Sequence, residues 1–278
     1  MNTDTNPLPK TDQAPNPEQQ PPQQQTLVIR RGRGRSGGST GLDLLIQRGR
    51  VAGRRIKPLD GDLRSKTLTS LYPAVDDKGA AIEDAASSPR SEEPADMKAW
   101  LSKQLDQMIQ QGYSAACDFG GGERVVQEYE QDLELRDLCD DHGIRLVEIG
   151  FLGPEPEDFR HIQQLMQIRG GLRAHKRLLI LNEGVIRQGQ TTEGVFSALI
   201  EQPEFQELVV HGAAPVFMRR LSCMGVLRER GLGFYDAVLG RPDKYGVPAS
   251  PTLRHMVKTW LRQHEAEHEK AGTLEWLP

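Results

Sequence analysis

The sequence predicts an α/β fold: a doubly wound, mostly parallel sheet with helices on both faces. Three observations carry that expectation. Short apolar runs alternate with segments of helical spacing along most of the chain, as they do in βαβ units. A glycine-rich stretch lies between the first apolar run and the first helical segment. Polar residues, Asp60, Asp62, Asp118 and Asn182, fall at the carboxyl ends of the apolar runs, which is where open α/β sheets bind ligands.

Each element follows from its own pattern. Thr26-Leu27-Val28-Ile29 is a short strand, and Leu42, Leu44, Leu45, Ile46 and Val51 suit a helix running from the glycine stretch to Gly53. Arg55 to Asp60 is a weaker strand, because Pro58 cannot donate to a ladder and favours an edge. The stretch from about Val75 to Asp96 reads as a long loop. Met97 to Gln111 carries apolar residues at helical spacing, with Gly112 just beyond its end. Ala115 to Asp118 is a short buried strand, and Val125 to Cys139 is helical. Ile144 to Phe151 and Arg177 to Leu181 are the clearest strands, with a helix from Phe159 to Ile168 between them. Leu208-Val209-Val210 reads as a further strand, and Thr252 to Glu265 as a closing amphipathic helix.

Composition bounds the rest. Residues 1–25 hold six prolines and six glutamines and almost nothing apolar, too little to offset the entropy of ordering, so a disordered tail is expected. Residues 26–278 then form a single domain. No apolar run approaches a membrane span, and no basic-then-apolar signal opens the chain. Cys117, Cys139 and Cys223 show no paired metal-ligand spacing, and a reduced cytoplasm is the expected compartment. Net charge is −4, but Arg30 to Lys57 holds nine basic residues against one acidic residue, Asp43. Such a run suits phosphate, of a nucleotide or of DNA. The seven histidines lack ligand spacing, and His264 and His268, four apart, have no third partner.

A strand that ends in a glycine-rich loop opening a helix is the layout that holds a polyphosphate, because amide N–H groups at a helix N-terminus point at the anion. Gly32-Arg33-Gly34-Arg35-Ser36-Gly37-Gly38-Ser39-Thr40 fits Gly-x4-Gly-Lys-Ser except at Gly38, where the lysine is missing. Asp60 and Asp62 are expected on the strand next to this loop, with Asp118, followed by Phe119-Gly120-Gly121-Gly122, close to a terminal phosphate and its Mg²⁺.

These residues resemble the ParA/MinD/CobQ group of P-loop ATPases with a deviant phosphate loop. Arg33 takes the place of the group's signature lysine and Gly38 that of the P-loop lysine, while Ser39 and Thr40 match its hydroxyl residues. Leu59-Asp60-Gly61-Asp62 matches the Asp-x-Asp strand end, 22 positions after Gly38. Asp118-Phe119-Gly120-Gly121 is similar to the second switch without its proline, and Leu181-Asn182 to the strand end that contacts adenine. The likeness spans about residues 26–240.

What the resemblance implies is a P-loop NTPase fold that binds ATP or ADP with Mg²⁺. Gly32 to Thr40 and Asn182 would bind nucleotide, Ser39, Asp62 and Asp118 would hold the metal, and Asp62, Asp118 and Arg33 would be catalytic. It also implies a homodimer in plasmid partition or conjugal mobilisation, with a protein partner and non-specific DNA contact by the basic run. Membrane binding is not expected, since the closing helix suits packing on the sheet. With Gly38 uncharged, ATPase activity is expected to be weak or absent. Arg33 and Arg35 could restore charge, because guanidinium groups bind phosphate bidentately. The alternative is a non-catalytic pseudo-ATPase scaffold that binds a protein partner or DNA. A metabolic synthetase or kinase of the same superfamily is a third reading, without a glutaminase cysteine motif to accompany it.

Overall fold

A computed structural model describes residues 24–76, 78–120, 123–167, 172–187 and 192–278. The proline- and glutamine-rich residues 1–23, and Gly121 and Gly122 of the second glycine stretch, lie outside the described residues.

Six strands form one parallel sheet: β1 (Thr26–Arg31), β2 (Ile56–Asp60), β3 (Ser114–Asp118), β4 (Arg145–Leu152), β5 (Lys176–Asn182) and β6 (Ala213–Met218), in the order β2-β3-β1-β4-β5-β6. Each strand is joined to the next through helices: α1 (Gly38–Val51), α2 (Thr67–Leu71), α3 (Pro94–Gln111), α4 (Glu123–Leu133), α5 (Leu135–Asp141), α6 (Pro156–Gln167), α7 (Thr192–Ile200) and α8 (Pro203–Val210). Three more, α9 (Met224–Arg230), α10 (Phe234–Leu239) and α11 (Pro251–Lys270), follow β6. This is the expected fold class.

The period-two alternation of strand side chains builds a core on each face. Val28 points with Val147 and Ile149 into the layer formed by α1, α10 and α11. Its neighbours Leu27 and Ile29 point the other way, into the layer of α3, α4 and α5. A third cluster, around Phe159, Phe196 and Phe205, packs α6, α7 and α8 on that second face. The closing helix packs as expected, with Leu253, Val257, Trp260 and Leu261 in the core. Among the described residues no helix is long and apolar enough to cross a membrane.

Pro58 behaves as its missing N–H requires. β2 is an edge strand, and its outer side meets the long loop, where Asp60 N donates to Ser87 O at 2.8 Å and Ser87 N donates to Pro58 O at 3.0 Å. The loop is further tied down by the Arg50 guanidinium, which donates to the Asp84 and Ile56 carbonyls.

Three expectations are corrected. Leu208-Val209-Val210 is the last turn of α8, not a strand. Pro203 starts that helix at a position where its ring is tolerated, Phe205 and Leu208 anchor it, and Val210 is left 81% exposed. The strand comes next, at Ala213–Met218, as an edge that tolerates Pro215. The helical stretch from Val125 to Cys139 is two helices, broken at Glu134, whose φ of 49° is left-handed. Finally, β3 lies between β1 and β2, so Asp60 is one strand further from the glycine loop than the doubly wound pattern suggested.

Candidate functional site

The chain leaves β1 towards α1 on one face and leaves β3 towards α4 on the other. Neighbouring strands that send their connections to opposite faces open a crevice at their carboxyl ends. Arg30 and Asp118 are register partners at that point.

The glycine stretch forms a compact loop there. Gly32 has φ 130°, Arg35 φ 72° and Gly37 φ 85°, and Gly37 caps α1 with no side chain over the helix end. The first amides of an α-helix have no intrahelical acceptor, so those of Gly38, Ser39 and Thr40 head α1 as anion-binding groups. Ser36 closes the loop from inside, its Oγ donating to Arg33 O at 2.9 Å.

Arg30 sits beneath this loop, and sequence reasoning missed it. Its side chain is 4% exposed. Nη1 donates to Asp118 Oδ1 at 3.2 Å, while Nη2 donates to Arg33 O at 2.9 Å and to Ser36 Oγ at 3.3 Å. Nε is buried without a hydrogen-bond partner. The guanidinium fills the space that a side chain at position 38 would need, since a Cβ on Gly38 would lie 1.9 Å from Arg30 Nε and 2.6 Å from Cζ. The signal available in the sequence was an arginine pair closing an apolar strand just before Gly32.

A cavity of about 620 Å³ opens on this loop, within the range of small-molecule sites. Arg30, Gly34, Arg35, Gly37, Gly38, Ser39 and Thr40 form one end. At the other end Asp43, Gln47, Tyr72 and Asp236 face an apolar shelf that includes Leu227 and Phe234. Asp43 Oδ1 accepts from the Tyr72 hydroxyl at 2.6 Å and from Gln47 Nε2 at 2.8 Å. Burial raises the Asp43 carboxyl above its ordinary range, with the two hydrogen bonds opposing the shift. Burial, with Asp43 beside it, also raises the Tyr72 hydroxyl. Across the mouth, Arg228 Nη2 donates to Thr40 Oγ1 at 3.0 Å. None of these three contacts was read from the sequence: Gln47 reaches Asp43 along α1, and Tyr72, just after α2, and Arg228 of α9 reach α1 only through tertiary packing.

The predicted site residues divide. Ser39 and Asp118 are brought together, with Ser39 Oγ donating to Asp118 Oδ2 at 2.6 Å and Gly120 N to Oδ1 at 3.0 Å. Asp62 lines the cavity; its Oδ1 accepts from the Arg64 and Ser65 amides at 3.1 Å, and its carboxyl lies against Gly120, where a Cβ would be 2.4 Å from Cγ. Asp60 instead holds α2, its Oδ2 accepting from Thr69 N at 2.7 Å and Thr69 Oγ1 at 2.9 Å. Burial raises its pKa, and these bonds counter the shift. Arg33 is half exposed and lies 3.6 Å from Asp158 of α6, away from the cavity lining.

Asn182 is not at a base-binding rim. It is buried behind the loop, Nδ2 donating to Ser36 O at 2.8 Å and Oδ1 accepting from Gly184 N at 2.8 Å. Nδ2 therefore braces the loop, while Oδ1 caps the turn Glu183–Val185 that follows β5.

A Mg²⁺ ion fits this arrangement poorly. Both oxygens of Asp118 are engaged, one by an arginine cation and one by Ser39.

No protein-family model matches the sequence, and no curated protein matches it either. Solved structures do. The MinC:MinD cell division protein complex of Aquifex aeolicus is 12% identical, with 86% of this chain and 96% of that chain covered at a TM-score of 0.49. MinD from the same organism is 14% identical, with 86% and 97% covered at 0.47. FtsY from Mycoplasma mycoides is 10% identical, with 64% and 56% covered at 0.43. The likeness concerns the path of the chain, and no residue role is carried across.

Proposed function

We propose that this protein binds a nucleoside di- or triphosphate in the 620 Å³ cavity, with the phosphates on the loop from Gly32 to Thr40. The observation that carries this is the buried Arg30 guanidinium at the cavity wall, directly beneath an uncapped helix N-terminus. Fixed cation and free amides together form a site for a multiply charged anion. The apolar shelf by Phe234 and the polar group around Asp43 are at the other end, where a base and sugar would lie.

Hydrolysis is weak or absent on this reading. Gly38 offers no flexible ammonium to follow the charge that builds on the transferred phosphoryl oxygens, and stabilising that charge is most of the catalysis in such reactions. The carboxylates that could position water are already in use as turn caps or in an ion pair. The motif resemblance is what supports the process we assign: nucleotide-controlled positioning in plasmid partition or conjugal mobilisation, as a homodimer with a protein partner. A purely non-catalytic scaffold is the second reading, favoured by the same fixed ion pair.

The test is thermal unfolding with ATP, ADP and GTP, together with a hydrolysis assay. A ligand at 100 times its Kd adds about 2.7 kcal/mol, which in a domain of this size raises Tm by about 5–10 °C. No stabilisation by any nucleotide would sink the binding proposal. Turnover at ordinary enzyme rates, lost in Asp62→Ala, would refute the weak-hydrolysis part.

A further inference from the structure

Resting on the nucleotide-binding reading above, we propose that Arg30 replaces two things at once, the lysine of the phosphate loop and the divalent cation, so that polyphosphate binds here without Mg²⁺.

The first replacement is steric and electrostatic. Position 38 heads α1, and its missing side-chain volume is filled by a cation from β1: a Cβ there would fall 1.9 Å from Arg30 Nε and 2.7 Å from Nη2. Glycine at 38 and arginine at 30 are thus one arrangement. Nη2 braces the loop through Arg33 O and Ser36 Oγ, while Nε is buried with no partner in the cavity wall. A buried N–H without an acceptor is costly, and a phosphate oxygen seated on the loop would supply one.

The second replacement concerns the carboxylate. A divalent ion at this corner would need the Ser39 hydroxyl and Asp118. The Arg30 charge already sits 3.2 Å from Asp118 Oδ1, and Ser39 Oγ is 2.6 Å from Oδ2. A second, doubly charged cation would have to displace the arginine or share one buried carboxylate with it, and two cations on one carboxylate repel strongly in a poorly solvated site. The positive charge a polyphosphate needs is present without it: Arg30 below the loop, with Arg35 and Arg228 lining the cavity beside it.

The experiment is calorimetric titration of the full chain with ATP and with inorganic pyrophosphate, in excess EDTA and then in excess Mg²⁺. The expected result is binding in EDTA within about threefold of that in Mg²⁺. Binding that is tenfold or more weaker in EDTA overturns this inference and leaves the nucleotide reading standing. No binding in either condition overturns the nucleotide reading and the inference with it. Arg30→Gln should lose binding in both conditions. Because it also removes the partner of buried Asp118, Arg30→Lys serves beside it, keeping a cation at the corner and retaining weakened, EDTA-insensitive binding. The decisive variant is the exchange Arg30→Ala with Gly38→Lys, which returns the cation to the helix and frees Asp118. It should bind ATP only with Mg²⁺. If the folded exchange variant binds equally well in EDTA, Arg30 is not what makes the site independent of metal.

Discussion

Acid should destabilise this protein through two histidines on the buried face of α11. His264 and His268 point from α11 into the core, with His264 stacked on Trp260 at a centroid distance of 5.8 Å and an interplanar angle of 5°. Burial lowers His264 to about 4, with Glu265 and Glu267 opposing the shift and Arg48 adding to it. Burial also lowers His268 to about 3, and its neighbour His264 pushes in the same direction. A histidine in the unfolded chain titrates near 6.5. The folded state thus binds fewer protons, so the contribution is fully present above pH 6.5 and is lost as pH falls from there towards 4. At pH 5 each unfolded imidazole gains a proton that the folded protein refuses, which costs about 1.5 pH units × 1.36, or about 2 kcal/mol per histidine. Raised carboxylates such as Asp43 and Asp60 titrate in the opposite sense, so the wild type alone does not isolate the effect. The comparison is urea denaturation of wild type and His264→Phe at pH 7.5 and pH 5, phenylalanine keeping the flat stack on Trp260. The wild type should lose about 2 kcal/mol more than the variant on acidification. Equal losses would show that His264 is not held neutral by the core, and the reasoning would fail.

Other substitutions separate the roles assigned at the site. Asn182→Asp places a carboxylate oxygen against the Ser36 carbonyl in place of a donor at 2.8 Å, and should cost about 2 kcal/mol in urea denaturation before any ligand is added; a residue that contacts only a base would leave the apo stability unchanged. Gly38→Ala should cost about 3 kcal/mol by the same assay, because its Cβ evicts the Arg30 guanidinium and leaves Asp118 as an uncompensated buried charge. Glu134→Gly, at an exposed position with φ 49° between α4 and α5, should raise stability by about 0.5 kcal/mol, the relief of left-handed strain slightly exceeding glycine's entropic cost.

Much of the architecture was legible because it depends on patterns that the chain states locally. The alternation of apolar runs and helical spacing, the glycine stops and Pro58 at an edge are all near-neighbour facts, and the sheet with its two covered faces follows from them. Leu208-Val209-Val210 misled for the same reason: its β-branched pair has strand propensity, but Pro203, Phe205 and Leu208 tie the segment to a helix. Strand order is not a local fact. That β3 separates β1 from β2 decides that Asp118, and not Asp60, meets the loop. Ser39 and Asp118 could be picked out by residue type and spacing, whereas Asn182 was found at the right strand end with the wrong partner. What a side chain bonds depends on which backbone approaches it, and here Ser36 O does.

The Gly38 position shows most directly how motif and site can part. As a pattern, the loop lacks a lysine and looks broken. Structurally a cation is still there, moved eight positions upstream to the strand that feeds the loop. The move changes the chemistry, because a guanidinium on a strand has a fixed direction and cannot follow a phosphoryl group as it transfers, as a lysine on a flexible stem can. It also ties the cation to Asp118, its register partner on β3. A site so built holds a charge pattern in place and changes little through a reaction coordinate. Since catalysis requires interactions that grow stronger in the transition state than in the ground state, the same geometry that favours holding a polyphosphate argues against cleaving it.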